Sequence, residues 1–402
     1  MGYTKEYFLY ILKCFYSGEN CNEPTKEVDS DLLCRLSEIH NVEGIVFSKI
    51  KDLDFIKDTD AYKELKTNFF SLTMLSVQME QNLNYLLKLL NQNHIEHIIF
   101  KGSVLCNTYP SKELRTMGDF DVLIHKEDFQ AVDKLLRENG FEFSDEDSEP
   151  YTKNYNYNNT LFEIHLNLVN KNPIIHSGKF FQFFRDAFSY AVKIENYTYT
   201  LEPTYHMVFL ICHLEKHFEQ NGCGIRLFLD LPFFFDKASV DTKKLGKWIK
   251  ELNLTDFTTG VFYICNRVFG SNLPQFSKFE IDDELFSYTL EKILSVGTFG
   301  HIGKTDAQKI MMMQAKNHYD HNTLSGKIKG FLRWAFPSRD YMVAAKVCDM
   351  DTPAILLPIY YIKRFFLFFK AKKSFGKWSK GIKNSKVDYN VLKIIEKFGI
   401  NK

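Results

Sequence analysis

The chain has 402 residues, 45% of them hydrophobic and 25% charged, which excludes a disordered polymer and gives enough length for two or three domains. Lys and Arg number 51 against 50 Asp and Glu, so the net charge of +1 offers no bulk argument for binding nucleic acid or membrane. Eight cysteines are scattered without a Cys-x-x-Cys pair, which speaks against a disulfide framework and for buried thiols in a reducing compartment.

Tyr3–Phe15 has helical spacing, and no small-residue cleavage site follows it, so it reads as a helix and not as a signal peptide. Ser30 is a candidate N-cap for a helix over Ser30–Ile39, and the short apolar run Ile45–Ile50 comes after Gly44. Ala61–Gln92 contains no Pro or Gly and predicts one long helix. Together these predict an N-terminal helical layer over 1–94.

An α+β unit is expected over 95–201. It begins with a strand at His97–Phe100, a helix at Val104–Tyr109, a loop over Pro110–Gly118 and a strand at Asp119–Ile124. Lys126–Asn139 predicts a helix closed by Gly140, Phe141–Phe143 a strand and Asp145–Glu149 an acidic turn. Tyr151–Tyr157 and Thr160–Leu168 predict a hairpin turned by Asn158-Asn159, and Tyr197–Leu201 one more strand. A small mixed or antiparallel sheet follows from this order.

From Pro203 the pattern is helical: Thr204–Gln220, Ile225–Lys237, Lys243–Leu252, Asp256–Phe269 and Asp282–Leu294. This predicts a helical domain over 202–335 and a basic, aromatic, helical segment over 336–402. Ala354–Phe369 is broken by Pro358 and by Lys363-Arg364, so it does not read as a membrane span. Tyr361–Lys386 carries nine Lys or Arg and no acid, interleaved with aromatic residues. One reading is contact with a membrane surface or an RNA backbone; the other is a solvated helix whose aromatic face docks on the protein.

The chemistry concentrates at two points. An apolar run ends in Lys101-Gly102-Ser103, and a second apolar run begins with Asp119-Phe120-Asp121. Residues two apart on a strand share a face, so Asp119 and Asp121 are expected side by side. Thr160–Leu166 alternates and puts Glu163 and His165 on one face, which makes Glu163 a third carboxylate. Carboxylates that close repel one another and favour a cation between them, and Mg²⁺ takes oxygen ligands and bridges to phosphates. Asp-x-Asp by itself is common on surface strands. Gly102-Ser103 in front of a helix strengthens it here, because a glycine lets backbone N–H groups approach a phosphate. Lys101 and Arg115 are candidates for neutralising phosphate charge, their plain alternative being an ion pair within the loop, for instance to Glu113. His165 is either an orienting partner of Glu163, a substrate contact or a structural residue. His213 and His217 stand four apart on a helix, as metal ligands do, but His-Glu-x-x-His is absent. Arg226 and Asp230 have the spacing of an intrahelical ion pair.

In this order, Lys101-Gly102, Arg115, Gly118-Asp119-Phe120-Asp121 and Glu163-Ile164-His165 resemble the bacterial group of uncharacterised nucleotidyltransferase-like proteins within the DNA polymerase β superfamily. The likeness is strongest from Ile95 to Asn167 and extends weakly through His213–Asp230 and Phe336-Pro337-Ser338-Arg339. The gap from Ser103 to Asp119 is longer than in the compact members of the superfamily. The resemblance implies an α+β core, a following helical domain and transfer of NMP from an NTP such as ATP to an acceptor. It implies Asp119, Asp121 and Glu163 as catalytic metal ligands for two Mg²⁺ ions, with Mn²⁺ as a substitute. It implies Lys101, Gly102, Ser103 and Arg115 as nucleotide-binding residues, and it leans toward Asp230 facing the nucleotide. The acceptor stays open among RNA, protein, sugar and small molecule. Two rival readings are a catalytically silent nucleotide-binding regulator and a membrane-associated assembly protein using 361–386. The expected location is the cytoplasm, or the inner face of the membrane should the basic stretch bind lipid.

Overall fold

A computed structural model describes residues 1–149, 151–169, 177–220, 223–297, 336, 342, 347, 353–370 and 389–400. The chain opens with helices α1 (Tyr3–Ser17), α2 (Ser30–Ile39), α3 (Glu43–Ile50) and α4 (Asp60–Gln92). Strand β1 (His97–Phe100), the one-turn helix α5 (Gly102–Leu105) and strand β2 (Asp119–Ile124) follow. Next come α6 (Phe129–Glu138), β3 (Glu142–Glu149), β4 (Thr152–Tyr157), β5 (Thr160–His165), α7 (Ser177–Phe184), β6 (Ala191–Glu195) and β7 (Thr198–Leu201). The helical part holds α8 (Pro203–Gln220), α9 (Ile225–Lys237), α10 (Thr242–Glu251), α11 (Thr255–Phe269) and α12 (Asp283–Val296), with α13 (Leu357–Lys370) and α14 (Tyr389–Lys397) beyond them. The result is a mixed α+β fold in which helices flank one seven-stranded sheet.

The sheet runs in the order β3-β4-β5-β2-β1-β7-β6. Strand β2 sits in its centre, antiparallel to β1 and parallel to β5. Alternation then sorts the side chains. Phe120, Val122, Ile124, Phe162 and Ile164 point to one face, where α6 and the end of α4 (Leu83, Leu86, Leu90) cover them. Ile98, Phe100 and Leu123 point to the other face and join a second, larger core with the helical part. The register puts Phe100, Asp121, Glu163 and Asn154 in one lateral row, and His165 beside Thr152 and Leu123 in the next.

Local chemistry explains the ends of the elements. The Asn158-Asn159 turn has φ of 45° and 59°, the left-handed pair that a two-residue hairpin needs and that Asn tolerates. Asn82 of α4 buttresses it, donating to Thr160 Oγ1 at 2.8 Å. Thr59 caps α4 by accepting from the Tyr62 N–H. The cap of α2 is Asp29, one residue before the expected Ser30, and it accepts from the Leu32 N–H.

Several expectations change. Asp145–Glu149 is not a turn but the second half of β3. Ile45–Ile50 lies in α3, in keeping with the expected helical layer, but the helix expected at Val104–Tyr109 is the single turn α5 followed by a 3₁₀ turn at Cys106–Thr108. Strand β6 and helix α7 carried no sequence signal that distinguished them. The N-terminal helices also reach the helical part: α1 packs on α3 and α11, and its Phe8, Ile11 and Leu12 belong to the core shared with α8, α9 and α11. Among the described residues no helix is long and apolar enough to cross a membrane. Of the basic stretch 361–386, residues 361–370 lie in α13 and the remainder lies outside the described residues, as do Pro337, Ser338 and Arg339.

Candidate active site at the head of strands two and five

Asp121 and Glu163 face each other across the parallel β2–β5 pair, and His165 lies two residues further along β5 on the same face. Its Nε2 lies 2.8 Å from Asp121 Oδ1 and 3.2 Å from Glu163 Oε2. On the other side of the ring, Nδ1 is 3.3 Å from Thr152 Oγ1. Asp121, Glu163 and His165 present ligand atoms that all lie within 4.8 Å of one another. Two carboxylates and one imidazole make a donor set that suits a hard or borderline divalent cation. Asp119 stands on the same face of β2, outside that 4.8 Å group but within electrostatic reach of Asp121 and Glu163.

Lys101 closes the cluster from the turn after β1, its ammonium on Asp121 Oδ1. Burial alone would lower the Lys101 pKa, but the charges of Asp121, Glu163 and Asp119 raise it. Burial likewise works to raise Asp121, and Lys101 and His165 overcome it and hold the carboxyl down to about 2. His165 is raised, because its bonds to Asp121 and Glu163 outweigh its burial. Asp119 goes the other way: burial first and the Asp121 charge second push it up to about 6. Two carboxylates of one strand are thus driven apart in acidity by their surroundings.

The Lys101 backbone is strained, with φ 51° and ψ −123° in a residue that carries a Cβ. Its N–H donates to His206 Nε2 at 3.1 Å. His206 belongs to α8, is fully buried, and is kept neutral by burial, with its pKa down at about 3. Sequence reasoning missed this residue. The signal was present, since His206, Phe209, His213 and His217 recur on one face of a helix.

The structure also shows what the remaining expected residues touch. Ser103 donates its hydroxyl to the Phe100 carbonyl. A Cβ on Gly102 would come within 3.0 Å of Arg115 Nη1 and 3.1 Å of Met117 Sδ, so the space that this glycine leaves is filled by the loop before β2. Arg115 does not pair with Glu113. It forms a two-pronged ion pair with Asp230 of α9, Nε to Oδ1 and Nη2 to Oδ2, both at 3.0 Å. Tyr109 adds a 2.8 Å bond to Asp230 Oδ1. Arg226 does not pair with Asp230 along the helix; its Nη1 donates to the Thr116 carbonyl at 2.6 Å. Arg115, Asp230, Tyr109 and Arg226 therefore strap the loop Pro110–Gly118 onto the helical part and fix where β2 begins. The groups of three or more metal-ligating residues found among the described residues do not include His213 or His217. Cys212 and Cys223 are buried, and burial raises the pKa of both thiols.

A central mixed sheet thus carries an acidic cluster on two adjacent strands, on the face covered by the helices that follow β7. The model of the uncharacterised nucleotidyltransferase family matches residues 26–270, and the chain belongs to that family. No curated protein and no solved structure matches the chain.

Proposed function

We propose that this chain is a Mg²⁺-dependent nucleotidyltransferase that moves NMP from an NTP to an acceptor oxygen. The observation that carries the proposal is the pairing of Asp121 with Glu163 across β2 and β5, with His165 between them, in a chain of this family. Asp121, Glu163 and His165 are the residues that would hold a divalent cation, with Asp119 beside them; the carboxylates suit Mg²⁺, and Mn²⁺ accepts the imidazole more readily than Mg²⁺ does. A cation bound there supplies neutralisation of triphosphate charge and a lower pKa for the acceptor hydroxyl.

The protein groups do the rest. His165 fixes both carboxylates through one nitrogen and is itself held by Thr152. Lys101, once Asp121 is otherwise engaged, has an ammonium to pair with the triphosphate. Its strained backbone, held by His206, aims that ammonium into the cluster. Arg115 and Asp230 act on the reaction by holding the loop that delivers Asp119, not by touching the nucleotide.

The test is label transfer from each α-labelled NTP to a panel of RNA, protein, sugar and small-molecule acceptors. Wild type should transfer label with Mg²⁺ or Mn²⁺ and stop in EDTA. Asp119→Asn with Asp121→Asn should lose at least about 10³-fold, the scale of several kcal/mol of transition-state charge stabilisation. Transfer that survives in the double variant removes the assignment.

A further inference from the structure

Helix α13 leaves one of its faces bare. Leu357, Tyr360 and Tyr361 pack toward Met342 and Val347, in a small apolar cluster apart from the two main cores. Ile355 lies in the 3₁₀ turn Ala354–Leu356 that leads into α13. Ile355, Ile359 and Ile362 are 85%, 62% and 60% exposed. They stand four and three residues apart, the spacing that lines side chains along one side of a helix. Leu356 next to Ile355 is 39% exposed, and Phe336, whose ring meets Tyr361 at 5.5 Å, is 58% exposed. A single exposed apolar side chain is ordinary on a protein surface, but a row of isoleucines marks a surface that binds something apolar.

Positive charge accompanies this face. Helix α13 carries Lys363, Arg364 and Lys370 and no acidic residue. The stretch 361–386 holds nine Lys or Arg and no acid, whereas the whole chain has 51 bases against 50 acids. The rest of the chain is therefore net acidic, and the basic charge is concentrated at this end. Lys363 donates to the Val347 carbonyl at 3.3 Å, a bond to a neutral group that does not cancel its charge.

We infer that the bare face of α13 lies on an anionic lipid bilayer, with the isoleucines at the boundary of headgroups and acyl chains and the basic residues among the lipid phosphates. This stands apart from the nucleotidyl-transfer reading. A bilayer offers an apolar layer and an anionic layer one above the other, which is the order in which α13 needs them. Nucleic acid supplies the anions but no apolar surface on which exposed isoleucines leave water. The 14 residues of α13 rise about 21 Å, short of the roughly 30 Å of a hydrocarbon core, so the helix lies along the surface. No helix among the described residues is long and apolar enough to cross a membrane.

The test is co-sedimentation of the full chain with vesicles of phosphatidylcholine alone or with about 30% phosphatidylserine added. Wild type should pellet with the mixed vesicles and bind phosphatidylcholine at least about tenfold more weakly. Binding to the mixed vesicles should fall in about 1 M salt, where the Debye length is about 3 Å. Ile355→Gln, Ile359→Gln and Ile362→Gln together should lower the partition coefficient at least about tenfold, and the three corresponding changes to Leu should leave it near wild type. Lys363→Gln, Arg364→Gln and Lys370→Gln together should also lower it at least about tenfold. Circular dichroism should be the same for all of these chains. Wild type that stays in the supernatant with the mixed vesicles overturns the inference, and so does equal binding to both kinds of vesicle or equal binding by the Gln variants. Single-stranded RNA that binds wild type, is lost with the three basic residues and displaces the chain from the vesicles assigns the charge to nucleic acid and overturns it as well. Self-association that the three isoleucine changes to Gln abolish, without binding to vesicles, assigns the face to a second copy of the chain and does the same.

Discussion

Two ion clusters lie at opposite ends of the same loop and differ in what they leave over. Arg115 and Asp230 are 7% and 4% exposed, and they meet through two parallel bonds, with Tyr109 also donating to Asp230 Oδ1. Arg115 gives Nε and Nη2 to that pair, while its Nη1 stands beside Gly102. Lys101 and Glu163 are 18% and 24% exposed, and here three carboxylates share one ammonium and one imidazole. The surplus negative charge is held next to solvent. A buried two-pronged pair fixes a chain segment, whereas the more open group holds surplus negative charge that a cation could neutralise. Residues of the same charge are held differently: Arg115 ties a loop to α9, and the more exposed Lys101 sits on the carboxylate cluster.

The sharpest way to break the contrast is Asp230→Ala, which strands the buried Arg115 guanidinium. Loss of one partner of a buried pair costs about 3–5 kcal/mol. Denaturant unfolding should show that loss, and an effect below about 1 kcal/mol would mean that the strap is not structural. In the open cluster the change should fall on ligand binding instead. His165→Gln should weaken Mn²⁺ binding about 10–100-fold in a titration, as loss of an orienting or ligating imidazole does, with the sheet intact by circular dichroism.

Asp119 sharpens the picture through pH. Its folded pKa, raised to about 6 from 3.8, means that the folded state holds this proton more tightly than the unfolded chain does. Stability of the metal-free protein therefore falls as pH rises from about 4 to about 6, and the deficit is complete above that window. Asp119→Asn should be more stable than wild type by on the order of 2 kcal/mol near neutral pH and no more stable at about pH 4. Thermal melts in EDTA across that range check it. The smallest effect is expected far from both clusters. Asn82→Ala removes the buried bond to Thr160 and should cost about 1 kcal/mol of stability without moving turnover.

Much of the sheet and of the cluster was legible in the chain. Periodicity placed β1, β2, β4, β5, α4 and α9, and Asn-Asn marked the hairpin. The rule that strand residues two apart share a face put Asp119 with Asp121 and Glu163 with His165. It did not say that β2 and β5 are neighbours, because pairing between non-consecutive strands depends on the whole sheet. The partner of Arg115 was not legible for the same reason. That partner lies 115 residues away, on a helix whose own pattern suggested a local pair with Arg226. Strand β6 stayed hidden because it is a short edge strand with Val192 and Ile194 in solvent, so burial left no mark on its pattern.

By itself the sequence determined which segments are helix or strand, and which side chains share a face, since both follow from short-range geometry. Tertiary structure alone decided the partners: Asp121 beside Glu163, Arg115 on Asp230, His206 under Lys101. Each of those contacts joins elements that the chain separates by tens of residues, and only the packing of two faces of one sheet against two sets of helices brings them within reach.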